Sequence, residues 1–152
     1  MQSREKYFAL PNQSIHDIPN DIESLYFCGY GNEEKMNVLD FSSFEFIQLR
    51  SITIGNNCFK NVREFVLDGL EKLESVTIGG ECFKISDWKE RDDGVCRITN
   101  CPNLRQLEIG EGSFYDFNQF EISNVNSLQS VQFGRACFNY AENCILKGGW
   151  EE

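Results

Sequence analysis

Apolar residues recur in a seven-residue pattern that appears four times along the chain. Each copy starts with Leu, has apolar residues at its fourth and sixth positions, and ends with Gly; the copies are 49–55, 73–79, 104–110 and 128–134. A Phe follows at position 11 of every copy: Phe59, Phe83, Phe114 and Phe138. The copies start 24, 31 and 24 residues apart. The chain therefore contains a 24-residue repeat with one seven-residue insertion.

The second half of each repeat follows its own pattern. Positions 17 and 19 are apolar or Cys: Phe65/Leu67, Cys96/Ile98, Phe120/Ile122 and Cys144/Leu146. Position 21 is Gly or Asn, residue types that tolerate a left-handed backbone: Gly69, Asn100, Asn124 and Gly148. Alternation of this kind, with many β-branched and aromatic residues, indicates strands buried on one face. We expect two short strands per repeat, with turns at the position-7 Gly and at position 21.

These patterns predict a mainly β fold, a solenoid of about five coils with two short parallel strands per coil. One coil cannot bury its own apolar face, so neighbouring coils must stack and align the four Phe in a ladder. We expect a single domain, residues 1–152, that starts with an N-terminal cap at 1–21 and a degenerate coil at 22–48. The regular coils are 49–72, 73–103 with an insertion at 85–95, 104–127 and 128–152.

The repeat resembles a known family. Leu-x-x-Ile-x-Ile is similar to the opening of leucine-rich repeats, and the run from Asn100 to Leu104, Asn-Cys-Pro-Asn-Leu, resembles the Cys-x-x-Leu joint of BspA-like repeats from bacteria and protists. The resemblance covers residues 22–150. It departs at position 9, where the family's Asn ladder is replaced by Asn57, Glu81, Gly112 and Ala136, and at position 7, where Gly replaces Pro. It implies a leucine-rich-repeat protein with a role in protein interaction or surface recognition and no inherited catalytic residues.

Charge and hydropathy narrow the classes of partner. The net charge is −10, with 14 basic and 24 acidic residues, which disfavours nucleic acid and anionic membrane surfaces. No stretch reaches the ~18 apolar residues that span a bilayer. The apolar run at residues 7–10 is too short for a secretion signal. We expect a cytoplasmic protein that binds neither nucleic acid nor membranes.

The seven cysteines are expected to be free, structural thiols. Six share repeat positions with Phe, Leu, Val or Ser, as small core residues do: Cys58, Cys82, Cys96, Cys101, Cys137 and Cys144. Cys28 falls at the position-7 Gly site of the degenerate coil. There is no Cys-x-x-Cys pair and the single His, His16, is distant in sequence, so no metal site or cofactor is expected.

Catalytic interpretations find little support. A Ser or Cys nucleophile needs a nearby His as general base, and only His16 is present. No carboxylate lies within an apolar segment that would raise its pKa. The Gly110-Glu111-Gly112 run lacks the helix and Lys of a phosphate-binding loop. We therefore expect a protein without catalytic residues.

The insertion is the strongest irregularity in the repeat. It combines Trp88 with the charged residues Asp87, Arg91, Asp92 and Asp93. One interpretation is a solvated loop. The other is a contact for an unidentified protein partner, anchored by Trp88, because loops on regular scaffolds carry recognition and Trp is a common hot-spot residue.

The last repeat suggests a second surface. The final predicted strand, Asn143–Lys147, has no later repeat to pair with, so Phe138, Cys144, Leu146 and Trp150 are candidates for an assembly edge. The leading functional hypothesis is a non-catalytic scaffold for protein–protein interaction. The alternative is a structural subunit that stacks end to end, as a homo-oligomer or filament, through such edges.

Overall fold

Two parallel β-sheets form the framework of the structure, which is a computed structural model. It describes residues 4–9, 15–29, 37–43, 46–84, 94–138 and 143–147. Sheet A contains β1 (Arg4–Ala9), β2 (Ile22–Phe27), β4 (Ser51–Ile54), β6 (Ser75–Ile78), β8 (Gln106–Ile109) and β10 (Ser130–Phe133). Sheet B contains β3 (Val38–Asp40), β5 (Glu64–Asp68), β7 (Gly94–Thr99), β9 (Phe117–Ser123) and β11 (Asn143–Lys147). Two 3-10 turns, Ile15–Asp17 and Phe41–Ser43, complete the described elements.

From β2 onward the chain alternates between the two sheets, placing one strand of each repeat in each. Every pair of neighbouring strands is parallel, and equivalent repeat positions face each other: Ile52 pairs with Val76, Val76 with Leu107, and Leu107 with Val131. The mainly β character and the parallel pairing predicted from the alternation are confirmed. The strand β1 was not predicted; it lies in the segment assigned as a cap and pairs with β2.

The core lies along the inner positions of both sheets, as the alternation predicted. Positions 4, 6, 17 and 19 of the first three repeats are buried. The position-11 Phe rings form the expected ladder: Phe59 stacks on Phe83 at 5.2 Å between ring centroids, Phe83 on Phe114 at 4.5 Å, and Phe114 on Phe138 at 4.9 Å. Each ring therefore has its neighbour in the next repeat as a direct packing partner.

The Phe ladder has a backbone feature that was not expected. Phe59, Phe83, Phe114 and Phe138 all have positive φ, between 52° and 56°. A left-handed backbone costs a non-Gly residue about 1–2 kcal/mol, so the surrounding structure must hold each Phe in place. The parallel rings above and below supply that restraint. The predicted left-handed residues at position 21 are confirmed for Gly69, Asn100 and Asn124, with φ of 75°, 56° and 55°.

Position 7 is Gly for a reason other than the predicted turn. None of these glycines is among the residues with positive φ. A Cβ placed on Gly110 would lie 2.5 Å from the carbonyl carbon of Gly79, one repeat earlier. The backbones of successive repeats touch here, and only Gly leaves room for the contact.

Candidate functional site

The outer surface of sheet A, here called the polar face, is the most regular exposed surface of the described chain. Two rows of outward side chains cross it from strand to strand. One row is Lys6, Ser24, Ser51, Ser75, Gln106 and Ser130. The other is Phe8, Tyr26, Thr53, Thr77, Glu108 and Gln132. The Ser and Thr side chains at the centre are short, so they project little from the sheet, and their hydroxyls can form hydrogen bonds. Ser51 Oγ, for example, donates to Ser24 Oγ at 2.9 Å.

A ladder of alternating charge borders the polar face. Arg50 lies between Glu23 and Glu74, with its Nε 3.1 Å from one Glu23 carboxylate oxygen and its Nη1 2.6 Å from one of Glu74. Hydrogen bonds to Glu74 and then Glu23 raise the pKa of Arg50. The guanidinium is exposed, so these ion pairs contribute little to stability. The next residues in the row are Arg105 and the neutral Gln129.

An aromatic pair lies at the N-terminal end of the polar face. Phe8 stacks on Tyr26 with ring centroids 4.7 Å apart and an interplanar angle of 18°. Phe8 remains 65% exposed, far more than a core Phe. Exposed aromatic rings are typical anchors of protein interfaces, so this pair adds an apolar element to an otherwise hydrophilic face.

The second candidate surface is the C-terminal edge, formed by β10 and β11, the outermost strands of the two sheets at this end. Val131 and Phe133 occupy inner positions 4 and 6, yet they are 38% and 41% exposed. The equivalent residues one repeat earlier, Leu107 and Ile109, are 0% and 2% exposed. The difference arises because no described strand pairs with the outer edge of β10.

The structure locates only part of the predicted assembly edge. Phe138 is half-buried at the end of the Phe ladder. The backbones of Cys144 and Leu146 lie in β11, whereas their side chains and all of Trp150 fall outside the described part of the structure. Sequence reasoning missed Val131 and Phe133, because the equivalent positions of the other repeats are buried and the repeat pattern carries no signal of exposure.

The predicted contact in the insertion lies outside the described residues. This applies to Asp87, Trp88, Arg91, Asp92 and Asp93 alike. The structure resumes with β7 at Gly94, so the last two residues of the predicted insertion, 85–95, belong to a strand. Gly94 is packed against Phe117, where an added Cβ would lie 2.7 Å from the ring.

The six described cysteines are free thiols. Cys58, Cys82, Cys96 and Cys101 are completely buried, whereas Cys28 is exposed and Cys137 is half-buried. Two position-10 thiols donate to the position-7 carbonyl of the preceding repeat: Cys82 to Gly55 and Cys137 to Gly110, each at 3.0 Å. Burial raises the pKa of Cys101 to about 11. A buried thiol that stays protonated near neutral pH is a poor nucleophile.

The described structure contains an apolar groove with acidic residues at its border. It has a volume of about 290 Å³ and is lined by Phe41, Ser42, Phe46, Ile47, Asp68, Gly69, Leu70 and Glu71. Asp68 accepts hydrogen bonds from Thr99 Oγ1 and Asn100 Nδ2, each at 2.8 Å. These contacts link Asp68 to the next repeat.

Within the described residues, no group of three or more His, Cys, Asp or Glu side chains is placed to hold a metal ion. The described part of the chain also has no helix long and apolar enough to cross a membrane. Comparisons with protein-family models, curated proteins and solved structures found no match for this chain.

Proposed function

We propose that the chain is a leucine-rich-repeat-like solenoid of about five coils that acts as a non-catalytic scaffold for protein–protein interaction. The observation that carries this proposal is the in-register pairing of equivalent repeat positions in both sheets, with apolar residues inside and small polar residues outside. Such stacking produces an extended, regular surface with few enclosed sites. Repeat proteins use surfaces of this kind to bind other proteins.

Side-chain ladders at the edges of the sheets support the solenoid interpretation. Asn124 Nδ2 donates to Asn100 Oδ1 at 2.8 Å, and Asn100 Nδ2 donates to Asp68 Oδ1 at the same distance. These bonds link three successive repeats near position 21. Ordinary leucine-rich repeats have an Asn ladder of this kind at position 9; in this chain the amide contacts lie near position 21.

The polar face is the proposed binding surface. Its outward side chains are short at the centre, so a partner can approach the sheet closely over several strands. The charge ladder from Glu23 to Arg105 provides alternating sites for ion pairs, which favours selectivity and orientation over affinity. Phe8 and Tyr26 supply the apolar anchor that hot spots require.

A matched pair of variants tests this assignment. Thr77→Arg places a long charged side chain at the centre of the polar face, and Gln119→Arg places the same side chain on the outside of sheet B; both residues are exposed. The tagged chain would be purified from its native cells and its partners quantified by mass spectrometry. We expect Thr77→Arg to lose at least tenfold of each specific partner, and Gln119→Arg to retain it. Equal loss from both variants, or no enriched protein, would contradict the proposal.

The insertion is proposed as an additional contact with the same partner. In the sequence it lies between β6 and β7, the two strands of one repeat. Trp88→Ala is expected to weaken partner capture several-fold while leaving thermal stability unchanged. A drop in stability instead would show that Trp88 packs against the core.

A second candidate function is end-to-end assembly into a structural oligomer or filament. The exposure of Val131 and Phe133 favours it, since apolar inner positions and an edge strand are available together. Both candidates are non-catalytic, need no cofactor and fit a cytoplasmic protein that binds neither nucleic acid nor membranes.

A further inference from the structure

We propose that the C-terminal edge binds the same edge of a second copy, through antiparallel pairing of β10 with its counterpart about a two-fold axis at Gln132. This inference concerns self-association and does not depend on the scaffold function. It begins from the contrast between the two ends of the molecule.

The N-terminal end is already closed. Ile15 and Ile18, from the segment that links β1 to β2, are each 5% exposed and belong to the core at that end. The edge strand β1 also carries three consecutive charged residues, Arg4, Glu5 and Lys6. Charges on an edge strand oppose pairing with another chain. A head-to-tail stack would therefore bring the uncharged strand β10 of one copy against the charged strand β1 of the next.

The C-terminal edge has none of these protections in its sheet A strand. Residues 128–134 contain no charged residue and no Pro, and the inner side chains Val131 and Phe133 are exposed. Natural edge strands usually carry Lys, Pro or a bulge to prevent pairing. An uncharged edge strand with exposed apolar inner side chains is therefore available to pair with another strand.

The strand is complementary to itself. Antiparallel pairing centred on Gln132 places Val131 of each copy opposite Phe133 of the other, on the inner face. Aromatic and β-branched residues make favourable cross-strand pairs. Gln132 then faces its own counterpart on the outer face, where two amides can exchange hydrogen bonds. A contact between identical surfaces closes after two copies and cannot grow into a filament.

Self-association is measured by light scattering on the full chain over about 1–500 µM. We expect the mass to rise from 17.5 kDa to twice that value and to stop there. Gln132→Lys should weaken dimerisation at least tenfold, because it opposes two positive charges at the axis. Gln106→Lys, the same change on the exposed outside of the neighbouring strand β8, should leave it unchanged. A monomer at all concentrations, or a mass that keeps rising, would overturn the proposal.

A cross-link distinguishes the two-fold contact from any other dimer. Directly opposite residues of an antiparallel pair have Cα atoms ~4.5–5.5 Å apart, within the span of a disulfide. In a background with Cys28, Cys137 and Cys144 replaced by Ser, Gln132→Cys should form a covalent dimer when oxidised glutathione accepts the electrons of the two thiols. Gln106→Cys should remain monomeric under the same conditions. Equal cross-linking of the two variants would refute the axis.

Discussion

Removing one ring from the centre of the Phe ladder should cost a large share of the stability of the domain. Phe83 is completely buried, and its ring contacts Phe59, Phe65, Phe114 and Phe117 at centroid distances of 5.2, 4.7, 4.5 and 6.3 Å. A Phe→Ala change at such a site removes ~3–5 kcal/mol. Ala at this position also keeps the unfavourable left-handed backbone, now without the stacked rings that hold it. We expect a loss of about 4 kcal/mol, against a total of ~5–15 kcal/mol for a typical domain.

Urea unfolding at about 1 µM protein, where self-association is negligible, measures this effect. With a slope of ~2 kcal/mol per molar, Phe83→Ala should lower the midpoint by about 2 M. Two other Phe residues set the scale. Phe138→Ala, at a half-buried site at the end of the ladder, should lower the free energy of unfolding by about 2 kcal/mol. Phe8→Ala, at a site 65% exposed, should lower it by less than about 1 kcal/mol. If Phe83→Ala and Phe8→Ala lowered the midpoint equally, the ladder would not be the main source of stability.

Three further predictions follow from backbone geometry and thiol burial. Gly110→Ala should lower the free energy of unfolding by ~1–3 kcal/mol. Gly55→Ala, whose added Cβ would lie 3.3 Å from its nearest neighbour, should lower it by under ~1 kcal/mol. Equal urea midpoints for the two variants would contradict the close approach of the backbones at Gly110. Ala136→Gly should raise the free energy of unfolding by ~0.5–1 kcal/mol, because Ala136 has φ of 62°; a decrease would contradict a left-handed residue there. Burial raises the pKa of Cys101 from 9.0 to about 11, so the folded state holds its proton more tightly. Stability should therefore be full below pH 9 and fall as the pH rises to about 11. Cys101→Val should reduce that slope without removing it, because burial also raises the pKa values of Cys96 and Cys137.

Repetition made much of the fold predictable from the sequence. A residue type that returns at one position of every repeat must meet its own copies when the repeats stack, which is why the Phe ladder could be foreseen. The same reasoning predicted that Cys82 and Cys101 are buried. In both cases the prediction depended on alignment within the chain, and not on the intrinsic preference of any residue.

Other features have no local signal. Phe disfavours a left-handed backbone, so nothing in the sequence around Phe83 indicates its positive φ; the packing of the rings imposes it. The strand β1 lacks the repeat motif and is defined by pairing with β2. The exposure of Val131 and Phe133 depends on the neighbours of β10, which the local pattern cannot show. Tertiary context decided each of these features.

The distance between the two ends of the polar face tests the central claim that the repeats form one continuous stack. Lys6 and Ser130 lie at opposite ends of the same outward row, separated by the five strand intervals of sheet A. At ~4.8 Å per interval, their separation should be about 24 Å. Spin labels on Lys6→Cys and Ser130→Cys would report this distance by pulsed electron resonance. The background would have Cys28, Cys137 and Cys144 replaced by Ser, and the labelled chain would be diluted with unlabelled protein. A single narrow peak near 24 Å, broadened only by the label arms, is the predicted result; a broad distribution or a peak beyond about 35 Å would contradict the stack.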